Sequence, residues 1–146
     1  MTAKAEVHVE ARVMVDMSAT ILHHGHIALL ESASRLGKVV VALTSDLEIQ
    51  IHKGYLPELT FEERKIVMLA LGLVTDVVES PWVIDEDFLM EHRCALLVHG
   101  DDNRNLVPSE LLRMYPRTVG ISSSVIRARA AEIHLQEVGQ ARNEER

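Results

Sequence analysis

Lys38–Thr44 reads KVVVALT, and this nearly unbroken apolar run decides the fold. Such a run is typical of a strand that is covered on both faces, as in a parallel sheet. Upstream, Val7–Met17 is a predicted strand, and Ile27–Leu36 is a predicted helix that stops at Gly37. The succession of strand, helix and strand predicts a βαβ unit with a right-handed crossover.

The rest of the chain continues the alternation. Thr60-Phe61-Glu62-Glu63 has the pattern of a capping box, which predicts a helix through about Gly72. Further predicted elements are the strands Thr75–Glu79 and Cys94–His99 and the helices Asp85–His92 and Ser122–Gly139. This order predicts an α/β fold: a doubly wound, Rossmann-like, five-stranded parallel sheet with helices on both faces. The pattern locates four of the five strands.

A length of 146 residues suits a single domain, 1–146, that can bury a sizeable core. We expect the core to span about residues 7–138 and the charged residues 139–146 to form a solvated tail. Aromatic residues make up only 3% of the chain, so the core must be aliphatic.

Charge and cysteine content exclude several classes of protein. Fifteen Lys and Arg against 22 Asp and Glu leave a net charge of −7, which argues against nucleic acid as a partner. No stretch reaches the length of apolar residues that spans a membrane, so we expect no membrane partner. The one cysteine, Cys94, fits a reducing compartment, and we expect a cytoplasmic protein.

Three histidines, His23, His24 and His26, lie between the first predicted strand and the first predicted helix. Ligands of doubly wound sheets bind at the carboxyl ends of the strands, where a helix N-terminus offers free N–H groups to a phosphate. Gly25 leaves room for that phosphate, and two imidazoles can donate hydrogen bonds to it. The alternative is a capping histidine with surface neighbours. We expect no metal ligands here, because adjacent histidines rarely bind one ion.

Ser122, Ser123 and Ser124 open the last predicted helix. One serine is enough to cap a helix. Three hydroxyls near Arg117 and Arg127 also suit a phosphate cradle, and the residues alone do not decide between the two functions.

Four segments together resemble a known family. VDMSATILHHGHIALLESASRLG (15–37) and RTVGISSSVIR (117–127) resemble the two signatures of the cytidylyltransferase-like nucleotidyltransferases. VHGDDN (98–103) and LTFEERK (59–65) are similar to segments of the glycerol-3-phosphate cytidylyltransferase branch, and the loop before the histidines also resembles phosphonate-associated members. The resemblance runs from about residue 10 to 130, with the segments in the family's order.

The resemblance implies an enzyme that transfers a nucleotidyl group, CMP from CTP, to a small phosphate- or phosphonate-bearing acceptor. The acceptor oxygen attacks the α-phosphate in line and pyrophosphate leaves. It further implies Mg²⁺ as cofactor with CTP or ATP, a nucleoside triphosphate and the acceptor as partners, and a homodimer. Two alternatives stay open: an adenylyltransferase on a similar acceptor, and a catalytically impaired nucleotide-binding regulatory protein.

The resemblance also implies roles for individual residues. His23, His26 and Lys53 would be catalytic, with Lys53 in a flexible loop. Arg64, Asp101 and Asp102 would bind the acceptor. Nucleotide binding would fall to Ser18, Ala19, Gly25, Arg117, Thr118, Gly120, Ile121, Ser122 and Ser123. The alternatives are a solvated Lys53, an Arg64 in a surface ion pair with Glu58, Glu62 or Glu63, and aspartates that form a turn.

Two positions depart from the family pattern. Thr20 and Val119 stand where the family has acidic residues. Asp16, where related loops carry glycine, is a candidate to restore a charge close to a metal-bound triphosphate. We expect Trp82, the one tryptophan, to serve packing rather than base stacking.

Overall fold

Five parallel strands form the centre of the structure, a computed structural model that describes residues 10–145. They are β1 (Arg12–Met17), β2 (Lys38–Thr44), β3 (Val74–Ser80), β4 (Leu96–Gly100) and β5 (Leu112–Tyr115). Their spatial order is β3-β2-β1-β4-β5, and every pair is parallel. The predicted doubly wound sheet is thereby confirmed. Residues 7–9 of the first predicted strand lie outside the described part.

Helices connect the strands: α1 (His24–Ser34), α2 (Asp46–Lys53), α3 (Phe61–Leu69), α4 (Glu86–Glu91) and α5 (Ser123–Glu144). The predicted capping box at the start of α3 is confirmed, since Thr60 Oγ1 accepts from the Glu63 amide at 3.3 Å. The predicted boundary of α1 was wrong, because the helix begins at His24 and not at Ile27. The predicted end of the last helix at about Gly139 was also wrong, because α5 continues to Glu144 with exposed side chains.

Alternate residues of the central strands pack on opposite faces of the sheet. Val13 and Val15 of β1 lie in one apolar cluster with Leu30 of α1 and Met68 of α3. Met14 of the same strand lies in a second cluster, which includes Leu89 of α4. Helices therefore cover both faces, which explains why β2 is an apolar run and not an alternating one.

One α-helix and one strand of the described residues have no counterpart among the predicted elements, and neither does the short 3-10 helix Ser109–Leu111. α2 escapes prediction because Leu47, Ile49 and Ile51 alternate with polar residues, as in a half-buried strand. The helix buries only Ile49 and is capped by Ser45, whose Oγ accepts from the Glu48 amide at 3.2 Å. β5 escapes because it is a four-residue strand at the sheet edge.

The sheet topology places a site between β1 and β4. From β1 the chain first builds β2 and β3 on one side, then crosses back to add β4 and β5 on the other. At such a switch point the loops that leave two neighbouring strands diverge and open a crevice at their carboxyl ends.

Between residues 10 and 145 no helix combines the length and the apolar character that crossing a membrane requires. The cytoplasmic location stays a prediction.

Candidate active site

A cleft of about 610 Å³ opens at the carboxyl ends of the strands. Its volume is in the range of small-molecule sites. Of the fifteen residues that the sequence singled out for the site, twelve line it, and Arg64, Asp101 and Gly120 do not. The twelve are Ser18, Ala19, His23, Gly25, His26, Lys53, Asp102, Arg117, Thr118, Ile121, Ser122 and Ser123.

Two histidines cap α1 reciprocally. His23 is the N-cap, and its Nδ1 accepts from the Gly25 amide at 3.1 Å. His26 Nδ1 accepts from the His23 amide at 3.2 Å, and the two ring centroids lie 3.9 Å apart. A neutral imidazole whose Nδ1 accepts carries its proton on Nε2. Both rings therefore keep an Nε2–H donor that the helix backbone does not use.

Burial keeps both imidazoles neutral. It lowers the pKa of His26 to about 4, with further contributions from the charges of His23 and Lys53. Burial, and then the charge of His24, also lower the pKa of His23. At neutral pH the pair thus acts as hydrogen-bond donors at a helix N-terminus, whose own partial charge is positive. An anion placed there would be bound without displacing a proton from either ring.

Gly25 is required by the cap itself. A Cβ at this position would lie 2.9 Å from His23 Cε1 and 3.0 Å from His23 Nδ1. The glycine therefore makes room for the His23 ring, and not for a phosphate as expected from the sequence. Ala19, in the preceding loop, has a φ of 43° although it carries a side chain. Backbone in this sparsely populated region is frequent at ligand-binding sites.

The serines that open α5 face the same cleft. Ser122 Oγ accepts from the Val125 amide at 3.1 Å, so the capping function is confirmed for Ser122. Ser123 Oγ donates to the Ile21 carbonyl at 3.1 Å and ties α5 to the loop after β1. Two helix N-termini, those of α1 and α5, thus meet at one cleft, and both favour anions. Phosphate binding by the serines stays a prediction.

The structure shows what surrounds the two positions where family carboxylates are missing. Thr20 is buried in the cleft wall, and its hydroxyl accepts from Arg127 Nη2 at 3.3 Å. Arg127 in turn pairs with Glu58, which does not itself line the cleft. Val119 is 95% exposed and does not line the cleft, so its apolar side chain does not alter the cleft wall.

Lys53 reaches the cleft from α2. The expected flexible loop is wrong, because Lys53 is the last residue of the helix, ahead of Gly54, which has a φ of 78°. Burial and then the charges of Arg104, Arg127 and Arg117 lower the pKa of Lys53, against the opposing charge of Asp102. Cations crowded in this way gain stability from any bound polyanion.

Asp102 and Arg117 form an ion pair across the cleft mouth. Asp101 is exposed and only approaches Arg117 Nε at 3.9 Å, so the structure does not bring it into the cleft. Gly120 is also exposed, and with a φ of 82° it shapes the turn before α5 instead of lining the site.

Arg64 does not reach the cleft, which corrects the expectation that it binds the acceptor. The residue is 2% exposed, and Nη2 lies 2.6 Å from Asp46 Oδ1. Its Nη1 donates to the carbonyls of Ser18 at 2.7 Å and Thr44 at 3.0 Å. Because its donors serve the ends of β1 and β2, Arg64 fixes the floor of the site and is not free to hold a ligand. The alternative, a surface ion pair with Glu58, Glu62 or Glu63, is also wrong, because Arg64 is buried and pairs with Asp46.

Trp82 and Arg104 line the cleft and were not expected there. The Arg104 guanidinium lies 3.6 Å from the centre of the Trp82 ring, and the His52 ring stacks on Trp82 at 4.6 Å. Trp82 thus serves to hold a cation at the cleft, in addition to packing. The three residues of the stack, His52, Trp82 and Arg104, come from three separated segments of the chain. No local pattern in the sequence therefore indicates the stack.

His99 and Asp16 form a buried pair on neighbouring strands, with His99 Nδ1 against Asp16 Oδ1. Asp16 Oδ2 accepts from Asn105 Nδ2 at 2.9 Å. Both carboxylate oxygens are therefore engaged, and the hypothesis that Asp16 supplies charge to a metal-bound triphosphate is not supported. The sequence could have indicated His99 as a site residue, because it is a polar residue near the carboxyl end of the buried strand β4.

The described residues contain no cluster of three or more His, Cys, Asp or Glu side chains that would hold a metal ion. The side chains of residues 10–145 therefore do not by themselves form a magnesium site.

Comparisons with known proteins agree with this geometry. The family model described as cytidylyltransferase-like matches residues 18–129. The chain is 31% identical over 116 residues to the glycerol-3-phosphate cytidylyltransferase of Bacillus subtilis, which covers 76% of this chain and 90% of that protein. It is 34% identical over 97 residues to the probable ethanolamine-phosphate cytidylyltransferase of Schizosaccharomyces pombe. That match covers 65% of this chain but only 26% of the relative.

A solved structure has the same fold. The lipopolysaccharide core biosynthesis protein of Thermoplasma volcanium aligns with a TM-score of 0.63 at 19% identity, over 75% of this chain and 98% of that one.

Proposed function

The chain belongs to the cytidylyltransferase-like family, and from this premise we propose that it transfers CMP from CTP to a small phosphate- or phosphonate-bearing acceptor. The acceptor oxygen forms a bond to the α-phosphorus of CTP, and the bond from that phosphorus to the bridging oxygen breaks. Pyrophosphate leaves with the electron pair, and no covalent enzyme intermediate forms. The protein's contribution is positioning and the stabilisation of negative charge.

The observation that carries the proposal is the reciprocal cap of His23 and His26. Each Nδ1 accepts from the backbone, at 3.1 Å and 3.2 Å, so each Nε2–H is free to donate. Two fixed donors beside a helix N-terminus suit the oxygens of a triphosphate, on which charge grows as pyrophosphate leaves. The donors need no reorganisation, because the cap already holds both rings.

Cations on three sides of the cleft would stabilise the remaining negative charge of the two substrates. Lys53, Arg104 and Arg117 line the cleft from α2 and from the loops after β4 and β5. We assign to Arg104 the acceptor-binding role once expected of Arg64, because Trp82 orients the Arg104 guanidinium without using its N–H donors. An acceptor that carries a phosphate or phosphonate would pair with it.

Mg²⁺ would enter with the nucleotide. Residues 10–145 hold no three-ligand cluster, so the oxygens of the triphosphate would hold the ion. A bound ion would shield part of the triphosphate charge, and the protein side chains would bind the remaining oxygens.

A homodimer is part of the proposal. None of the α5 side chains is buried, and Val125, Ile133, Leu135 and Val138 are exposed apolar residues along it. The part of α5 beyond Arg127 is exposed throughout and gains stability by packing on a second copy. Light scattering coupled to size exclusion tests the dimer, and a monomeric mass across micromolar concentrations would refute it.

The experiment that tests the activity is product identification by ³¹P NMR and mass spectrometry. The protein is incubated with Mg²⁺ and either CTP or ATP, together with glycerol phosphate, ethanolamine phosphate or an aminoalkyl phosphonate. A cytidine diphosphate ester or its phosphonate analogue, formed with one equivalent of pyrophosphate, is the expected product. Turnover with ATP alone would establish the adenylyltransferase alternative. Nucleotide binding without any product, including with Thr20→Asp, would favour the regulatory protein.

A further inference from the structure

His99 is the buried polar side chain that the proposed reaction does not use. Only 8% of the residue is exposed, and it lines the cleft from the end of β4. Its Nδ1 faces Asp16 Oδ1, while Nε2 is buried with no hydrogen-bond partner among the described residues. A buried nitrogen without a hydrogen-bond partner lowers the stability of the fold, so its presence beside the cleft points to a function.

Nε2 lies close to Asp102 but forms no hydrogen bond with it. The distance from His99 Nε2 to Asp102 Oδ1 is 3.4 Å, and the second oxygen of Asp102 pairs with Arg117 Nη2. Carboxylate, imidazole, carboxylate and guanidinium therefore follow one another from the floor of the cleft to its mouth. The first member is fixed, because Asp16 also binds Asn105, whose Oδ1 accepts from the Ile84 amide at 2.8 Å.

We propose that Asp16 and His99 are positioning residues that hold Arg117, through Asp102, in the orientation that binds the nucleotide. The inference rests on the proposed function, since Arg117 is a nucleotide-binding residue only within it. His99 is the link between a rigid buried end and an exposed one: the Asp102 and Arg117 side chains are 45% and 65% exposed. Without the link, both are free to turn into solvent.

The charges that face His99 favour the protonated ring that such a link needs. Burial lowers the pKa of His99, but the hydrogen bond to Asp16 and the charges of Asp16 and Asp102 outweigh it, and the pKa is raised. Arg104 opposes them in part, and Asn105 is neutral. In the protonated ring both nitrogens carry a proton, so Nδ1 donates to Asp16 and the charge of the ring attracts Asp102, whose Oδ1 lies 3.4 Å from Nε2.

The first test measures the link without any nucleotide. The His99 ring is titrated by NMR in the wild-type chain, in Asp102→Asn and in His134→Asn, a control on the exposed part of α5. We expect a raised His99 pKa in the wild type, a lower one in Asp102→Asn and no change in the control. An unchanged titration in Asp102→Asn would overturn the link.

The second test asks whether the link acts through Arg117. His99→Asn keeps a donor close to the position of Nδ1 but has nothing at the position of Nε2, so the contact with Asp16 survives. Calorimetry with CTP and with ATP is done for His99→Asn, Arg117→Ala and the double variant. We expect His99→Asn to weaken nucleotide binding about tenfold in the wild-type background and not at all in the Arg117→Ala background.

An equal loss in both backgrounds would overturn the proposal, because His99 would then act on the fold or directly on the nucleotide. A thermal melt of His99→Asn close to that of the wild type excludes general unfolding. If the wild-type chain binds neither nucleotide, the proposed function has failed, and the NMR titration still decides whether the link exists.

Discussion

His26 Nδ1 accepts a hydrogen bond from the main-chain amide of His23 at 3.2 Å, while His23 Nδ1 accepts from the Gly25 amide. Helix caps of this kind are usually built from serine, threonine or acidic side chains. A cap built from two imidazoles differs in one chemical respect: each ring satisfies the helix with one nitrogen and keeps a donor on the other. The same side chains thus complete the fold of α1 and face the cleft.

His26→Asn should separate these two functions. The amide oxygen of asparagine can accept in place of Nδ1, but no atom replaces Nε2–H, so we expect the fold to persist and turnover to fall about 100-fold or more. His24→Asn is the matched control, because His24 is exposed and does not line the cleft. Comparable losses in both variants would show that the segment matters only as a helix start.

Triphosphate binding should leave both imidazoles neutral at pH 7. The pKa of His26 is about 4 in the free protein, mainly because of burial, and a second proton could enter only at Nδ1, where it would break the hydrogen bond from the His23 amide. Calorimetry of CTP binding in buffers of different ionisation enthalpy measures the proton count. We expect the same proton count in the wild type and in His26→Asn. A larger proton uptake by the wild type would contradict the assignment.

The same pKa makes stability depend on pH. The folded chain lowers the pKa of His26 from 6.5 to about 4, so the unfolded chain binds more protons between these values. The contribution of His26 to the free energy of unfolding is therefore present above pH 6.5 and is lost as the pH falls toward 4. At most it amounts to about 3 kcal/mol. Urea unfolding at pH 7 and pH 5 should show a larger decrease for the wild type than for His26→Asn.

Gly25→Ala should impair nucleotide binding through the cap. The added Cβ would lie 2.9 Å from the His23 ring, so the ring must move and release the Gly25 amide. Gly139→Ala is the control, because nothing lies within 4 Å of a Cβ there and alanine is the better helix former. We expect a large rise in the Kd for CTP with Gly25→Ala and none with Gly139→Ala. Equal affinities in the two variants would contradict the geometry of the cap.

Arg64→Met should lower the free energy of unfolding and should not act mainly on the KM for the acceptor. Removing the guanidinium takes the donor from the Ser18 and Thr44 carbonyls and from Asp46 Oδ1, while Asp46 Oδ2 keeps the Phe61 amide. Each buried acceptor that is left without a donor costs about 1 to 3 kcal/mol. Chemical unfolding measures the loss. A stable variant with only a raised KM for the acceptor would restore the original expectation that Arg64 binds substrate.

The periodic elements and the loops at the strand ends could be predicted because their signals are local. The apolar run of β2 requires cover on both faces, and the histidines and serines stand directly after strands, where a parallel sheet collects its ligands. α2 could not be predicted, because its buried contact is the single residue Ile49 and its apolar pattern alternates.

Contacts between distant segments set the limit of prediction for the site. Neither acceptor binding by Arg64 nor the alternative, a surface ion pair, agrees with the structure, because Arg64 pairs with Asp46 in α2, a helix that the sequence did not indicate. The pairing of Asp16 with His99 spans 83 residues, and that of Asp16 with Asn105 spans 89. Neither pairing can be predicted from the local pattern of apolar and polar residues. The stack of Arg104 on Trp82 is hidden for the same reason.

The most direct measurement of the central claim is the initial rate of pyrophosphate release from CTP, with Mg²⁺ and the best acceptor, for the wild type, His26→Asn and His24→Asn side by side. The account predicts acceptor-dependent release by the wild type and by His24→Asn, and a rate for His26→Asn that is lower by about 100-fold or more. Pyrophosphate release that does not depend on His26, or none by a wild-type chain that is folded and supplied with each acceptor class, would contradict it.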